Sequence, residues 1–262
     1  MEAVTAGKLN KSYTIMPELP FNKIISLVPS LTELLIDLGL QKQVAGRTRF
    51  CIHPKETIKH IEIVGGTKNP DIEKIKSIRP DLVIANKEEN RKEDIQQLDT
   101  VTETMVTEIS SVEDALVEIK RIGHKTGRSQ AADDIISKTS SVLDQRPKQQ
   151  LLTTAYFIWK DPWMTVGHDT YIHDVLNKYG MINVFEDRQR YPTTSLQELT
   201  ELSPELILFS SEPYPFKEKH IQEIKELCPD SKIKLVEGEW FSWYGSRMIH
   251  SFKALNEWRT HI

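Results

Sequence analysis

The sequence contains only two cysteines, Cys51 and Cys228, too few and too far apart for a disulfide framework or a CxxC metal site. It has no GxxxxGK phosphate loop, no GxSxG nucleophile elbow and no GxGxxG fingerprint. No nucleophile, base and orienting group assemble from it. No stretch of about 18 apolar residues is present to cross a membrane. Nor is there a basic surplus: 34 Lys plus Arg face 38 Asp plus Glu, a formal charge of -4, whereas a nucleic-acid footprint carries excess positive charge. The opening run MEAVTAGKLNKSYTIMPELP, residues 1–20, lacks the apolar core and small-residue cleavage site of a signal peptide. Taken literally, the chain stays in the cytoplasm.

What is present is enough apolar material, 39% of 262 residues, for two lobes with cores of their own. Short apolar runs alternate with amphipathic ones, the pattern of βαβ units and parallel sheets. Ile24 to Val28 reads as a buried strand, and the following helix is expected to start at Ser30, with Glu33 completing a capping box and Gly39 closing it. The plan then repeats. IEKIKSIRPDLVIANKEEN from Ile72 and LQELTELSPELILFSSEPY from Leu196 each give a helix, a proline, a strand and a polar loop. Ser26 to Val44 likewise parallels Thr165 to Val184, with Gly39 and Gly180 at equivalent helix ends.

Between the halves, Val112, Leu116, Ile119 and Ile122 keep helical spacing, which Ala131, Ile135, Thr139 and Val142 resume after Gly127. Ser129 is the expected cap of the second stretch. A helix of this kind spans on the order of 20 to 25 Å at about 1.5 Å per residue. The reading is an α/β fold of two Rossmann-like lobes with parallel sheets joined by a long helix: residues 20–110, a helical linker 111–147, and residues 148–262.

The pieces IISLVPSLTELLIDLGL, VAGRTRFCIHP, VGGTKNPDIEKIKSIRPDLVIA, WMTVGHDTYIHDVL, PELILFSS and EWF stand in an order and spacing over about 240 residues that resembles the helical-backbone class of periplasmic substrate-binding proteins. That family takes iron siderophores, haem and cobalamin, and this chain looks closest to the cobalamin binders. The resemblance implies capture of a bulky metal chelate in the cleft between two lobes, for an ABC-type importer, at a periplasmic or cell-surface location. It further implies docking on an ABC permease through one glutamate per lobe: Glu73 matches the first, while the second position is Gln197 with Glu198 beside it. No cofactor, no membrane insertion and a monomer are expected. The alternatives are a cytosolic carrier or sensor, or a small α/β enzyme on a cofactor-like substrate.

In such open sheets ligands sit beyond the carboxyl ends of the strands. The loops there carry Pro29, Ser30, Arg47, Arg49, Phe50, Thr67 and Lys87 in the first lobe. In the second they carry Trp163, His168, Tyr191, Trp240, Phe241, Trp243 and Arg247. Trp163, Trp240 and Trp243 lie outside periodic apolar runs, and either wall the cleft for a flat macrocycle or pack the second lobe's core. Arg47 and Arg49 alternate onto one face, where forked guanidinium groups suit carboxylates, phosphates or carboxamide oxygens. His53, His168 and His173 are imidazoles able to ligate metal but lack the spacing of a preformed cage. His168 reads more simply as part of a turn at a helix start, and Cys51 as a buried thiol. The run from Lys87 to Asp94 reads as a solvated loop, with only Lys87 near the site.

Overall fold

A computed structural model describes residues 19–148 and 150–262, so residues 1–18, on which the leader reading rests, lie outside the described residues. The first half runs β1 (Ile24–Ser26), α1 (Pro29–Leu35), β2 (Val44–Arg47), α2 (Lys55–Ile58), β3 (Glu62–Ile63), α3 (Ile72–Ile78), β4 (Leu82–Asn86), α4 (Lys92–Asp99) and β5 (Glu103–Thr107). Helices α5 (Val112–Lys125) and α6 (Ser129–Asp144) follow. The second half runs β6 (Leu152–Phe157), α7 (Tyr171–Lys178), β7 (Met181–Asn183), α8 (Leu196–Leu202), β8 (Leu206–Ser210), α9 (Glu218–Leu227), β9 (Lys232–Val236), α10 (Glu239–Ser242) and α11 (Met248–Arg259). The strands form two wholly parallel sheets, ordered β3-β2-β1-β4-β5 and β7-β6-β8-β9.

The internal repeat is visible at single-residue resolution. Helices α3 and α8 are each seven residues long, capped by the side chains of Asp71 and Ser195. Each ends on a left-handed residue, Arg79 (φ 53°) or Ser203 (φ 43°), which turns the chain into a proline and then a five-residue strand. Gly39 (φ 79°) and Gly180 (φ 67°) also occupy equivalent left-handed helix ends, where a Cβ would be strained.

Side chains alternate between the faces of a strand, and both sheets use this to bury both faces. Ile24, Leu82 and Ile84 of the first sheet and Tyr156, Leu206 and Leu208 of the second enter one continuous buried cluster between the sheets. Ile25 and Val83 turn outward onto Ile75 and Leu98 of α3 and α4. Ala155, Phe157, Ile207 and Phe209 turn outward onto Leu199 and Ile224 of α8 and α9. The central cluster also takes in α1, α5, α6, α7 and α11, so the space between the sheets is filled by core rather than by a flexible strap.

Three local expectations are corrected. Helix α1 begins with Pro29 at its first turn after Val28, and Ser30 makes no capping bond. A proline there needs no amide partner, and Glu33 is drawn away to Arg247. Ser129 is the first residue of α6 and makes no side-chain cap. The helical connection is made of two helices that break at Gly127 (φ 70°). At this break, a Cβ on Gly123 would overlap Ala132, so the close approach of α5 and α6 requires glycine.

Candidate functional site

The carboxyl ends of both sheets open on one cleft of about 800 Å³. Each sheet reverses its strand order there, at β1/β4 and at β6/β8, the place where open α/β sheets bind ligands. The first half supplies Pro29 and Ser30 after β1, Phe50 and Ile52 after β2, Thr67 and Lys68 after β3, and Glu88 and Glu89 after β4. Gly65 (φ 104°) shapes the third of these loops, and Gly66 lets Phe50 lie close against it. The fourth loop is fixed by two asparagines. Asn86 Oδ1 accepts the amides of Glu88 (2.8 Å) and Glu89 (3.2 Å), and Asn90 Nδ2 donates to the carbonyls of Leu27 (3.2 Å) and Thr67 (2.9 Å). These bonds aim the two glutamates into the cleft.

From the second half, Trp159 and Met164 face the cleft across a short hairpin in which Met164 N donates to Trp159 O (3.1 Å). Tyr191 and Arg190 enter from the loop after β7, Glu212 from that after β8, and Trp243 and Tyr244 from the end of α10. Trp243 Nε1 donates to Glu212 Oε1 (2.9 Å), as does Ser242 Oγ (3.1 Å). Tyr191 donates its hydroxyl to Glu88 across the cleft, and Arg190 Nη2 stands 3.6 Å from the same carboxylate. The Tyr244 hydroxyl is buried beside Ser30, and burial pushes it well above the usual tyrosine range.

Burial pushes the Glu89 carboxyl above the usual carboxylate range, helped by the neighbouring charge of Glu88. Burial also raises Glu212, against the opposing hydrogen bonds from Ser242 and Trp243. Desolvation penalises the charged form, so both groups are held in an environment that favours a positive or hydrogen-bond-donating neighbour.

Of the expected residues, the structure brings Pro29, Ser30, Phe50, Thr67, Tyr191 and Trp243 onto the cleft. It places the others elsewhere. Arg47 is buried, donating to the carbonyls of Ile58 (2.9 Å), Thr48 (3.0 Å) and Cys51 (3.2 Å). Arg49 is exposed outside the lining. Lys87 points to solvent and pairs with Glu108 (2.5 Å). Trp163 packs in the second sheet's outer core, stacked on Phe216 at 6.0 Å, and Phe241 is fully buried against Tyr156. Trp240 lies half-buried against the central core. Arg247 grips Glu33 with two bonds of 2.9 and 2.6 Å. His168 is exposed, its Nδ1 facing the Glu186 carbonyl at 3.0 Å; Thr170 caps α7 instead. Among the described residues no cluster of His, Cys, Asp or Glu is arranged to hold a metal ion.

Sequence reasoning missed Glu88, Glu89 and Glu212. The signal available was Asn86 with Asn90 four residues on, a turn-forming pair bracketing the two glutamates. Glu73 is exposed at the start of α3 beside Lys76. Its counterpart at the start of α8 is Gln197, exposed, while Glu198 is held by Thr194 and Arg188, bonds that also lower its carboxyl below the usual range.

The family model for periplasmic binding proteins matches residues 24–227. The chain is 31% identical over 211 residues to an uncharacterized ABC transporter substrate-binding lipoprotein of Bacillus subtilis, spanning 76% of this chain and 66% of that protein's length. It is 25% identical to the vitamin B12-binding protein of Vibrio cholerae, over 74% of this chain and 71% of that one. The crystal structure of the periplasmic vitamin B12 binding protein of Vibrio cholerae matches with a TM-score of 0.79 at 19% identity, covering 92% of this chain and 98% of that one, a likeness of fold.

Proposed function

The chain belongs to the periplasmic binding protein family, and from that premise we propose that it captures a bulky metal chelate in the inter-lobe cleft and delivers it to an ABC-type importer outside the cytoplasmic membrane. The observation that carries the reading is the cleft itself: about 800 Å³, walled by Phe50, Trp159, Tyr191, Trp243 and Tyr244. Aromatic rings bury roughly 150 to 250 Å² each and suit the broad apolar faces of a corrinoid, a porphyrin or a ferric chelate. The chain's relatives are substrate-binding proteins, and the small-enzyme alternative is set aside on that ground. No described helix is long and apolar enough to cross a membrane.

Two cleft residues are tryptophans, so ligand entry reports itself. Titration with cobalamin, haemin and a ferric siderophore should quench fluorescence with a dissociation constant tighter than about 100 μM for at least one, a free energy beyond roughly -5.5 kcal/mol. Failure of all three overturns the reading. Trp243→Phe should reduce the quenching amplitude while the fold, read by circular dichroism, stays intact.

The surfaces around Glu73 and around Gln197 and Glu198, at equivalent helix starts on either side of the cleft, are the proposed permease contacts. Glu73→Lys should leave ligand affinity within about twofold and lower stimulation of the importer's ATPase at least about tenfold, as expected for loss of a steering charge. Undiminished stimulation excludes Glu73 from docking.

A further inference from the structure

We infer that the cleft selects a metal chelate that is neutral or cationic and carries N–H donors at its rim, and that it discriminates against anionic chelates. This deepens the proposed capture of a chelate and rests on it. The lining holds three carboxylates, Glu88, Glu89 and Glu212, and two bases, Lys68 and Arg190. Both bases are already engaged on the Glu88 loop. Lys68 Nζ donates to the Glu88 main-chain carbonyl, and Arg190 faces the Glu88 carboxylate at 3.6 Å. Glu88 is thereby matched, also accepting the Tyr191 hydroxyl.

Glu89 and Glu212 form no ion pair among the described residues; the Lys68 ammonium, whose charge acts on Glu89, is bonded to the Glu88 carbonyl. Glu212 is met only by the neutral donors of Trp243 and Ser242. Of the basic side chains that sequence reasoning would have turned toward a ligand, Arg47 is held on three carbonyls and Arg247 on Glu33 with Glu239 at 3.7 Å, while Arg49 is exposed outside the lining. A propionate or catecholate placed here would meet carboxylates with no free guanidinium, and like charges at such range in a partly dehydrated cleft repel strongly. An amide N–H or an ammonium would instead donate to Glu89 and to Glu212 Oε2, the oxygen that Trp243 and Ser242 leave free.

The test is a panel of chelates on the full-length protein, followed by fluorescence and calorimetry. Cyanocobalamin is uncharged overall and bears a rim of amides, ferrioxamine B carries an ammonium, haemin carries two propionates, and ferric enterobactin is an anionic tris-catecholate. Cyanocobalamin or ferrioxamine B, or both, should bind at least about tenfold tighter than either anionic chelate. Which of the two binds distinguishes a corrinoid from a hydroxamate siderophore as the source of the chemistry. Glu89→Gln/Glu212→Gln should narrow the preference for ferrioxamine B over haemin by about tenfold, the size expected when charges facing the ligand are removed. Haemin or ferric enterobactin binding tightest overturns the inference while leaving chelate capture standing, as does an unchanged ratio in the folded double variant. If the double variant fails to fold, the wild-type ranking decides alone. Binding by none of the four removes chelate capture and this inference together.

Discussion

The guanidinium of Arg47 lies where the carbonyls of Ile58, Thr48 and Cys51 converge. Main-chain acceptors that cannot reach water must find donors, and one planar fork serves all three while closing the loop that carries Phe50. Arg47→Ala would leave these carbonyls unmatched beside a cavity, with an expected cost of about 3 kcal/mol in urea unfolding. A loss within about 0.5 kcal/mol would mean that water replaces the fork. The contrast with Glu89 explains what was legible at this scale. The sequence shows that a charged residue stands near a strand end, but strand pairing and turn geometry decide whether its side chain enters the cleft, serves the backbone or reaches solvent. Phe50, Tyr191 and Trp243 were legible because large rings in loops have few alternatives to a wall. Arg47, Lys87 and Glu89 were not, because long polar chains can be satisfied in several directions.

At the scale of elements, Asp71 and Ser195 accept the amides of Lys74 and Glu198 (3.0 and 3.1 Å) and fix the starts of two helices that each lead into a central strand. Ser195→Ala should cost about 1 kcal/mol of unfolding free energy. Ser129→Ala should change it by less than about 0.5 kcal/mol, since that hydroxyl caps nothing. Equal effects would contradict the assignment of the caps. Helix α3 could be read from the sequence over the residues it occupies because its cap, apolar spacing and terminating proline are all local. The cap assigned to Ser30 fails for a non-local reason: its partner Glu33 is bound by Arg247, 214 residues away. Strand β5 escaped notice because ETMVT has no apolar run; it is an edge strand with one neighbour, β4, and does not need one.

The molecule as a whole is organised around its central cluster, to which both sheets contribute a face. Across the lobes, Glu33 and Arg247 form a largely buried bidentate pair, and His53 Nε2 meets Glu239 Oε1 at 2.9 Å. Burial raises the Glu33 carboxyl against the hydrogen bonds of Arg247, so the pair is held by the packing around it as much as by its own attraction. Lobes that share a core cannot swing apart without exposing it, and each fully buried Leu, Ile or Phe contributes roughly 1.5 to 3 kcal/mol. Ligand entry is therefore expected to close the cleft modestly, about the contacts of Tyr191 and Arg190 with Glu88. The same argument predicts how the chain unfolds. All five tryptophans, Trp159, Trp163, Trp240, Trp243 and Trp258, lie in the second half, so their fluorescence reports on that half, whereas far-ultraviolet circular dichroism reports on helices throughout. In urea the two signals should trace one transition with coincident midpoints, the signature of a single cooperative unit. Two separated midpoints would show that the halves unfold independently, and the shared cluster would then not couple them.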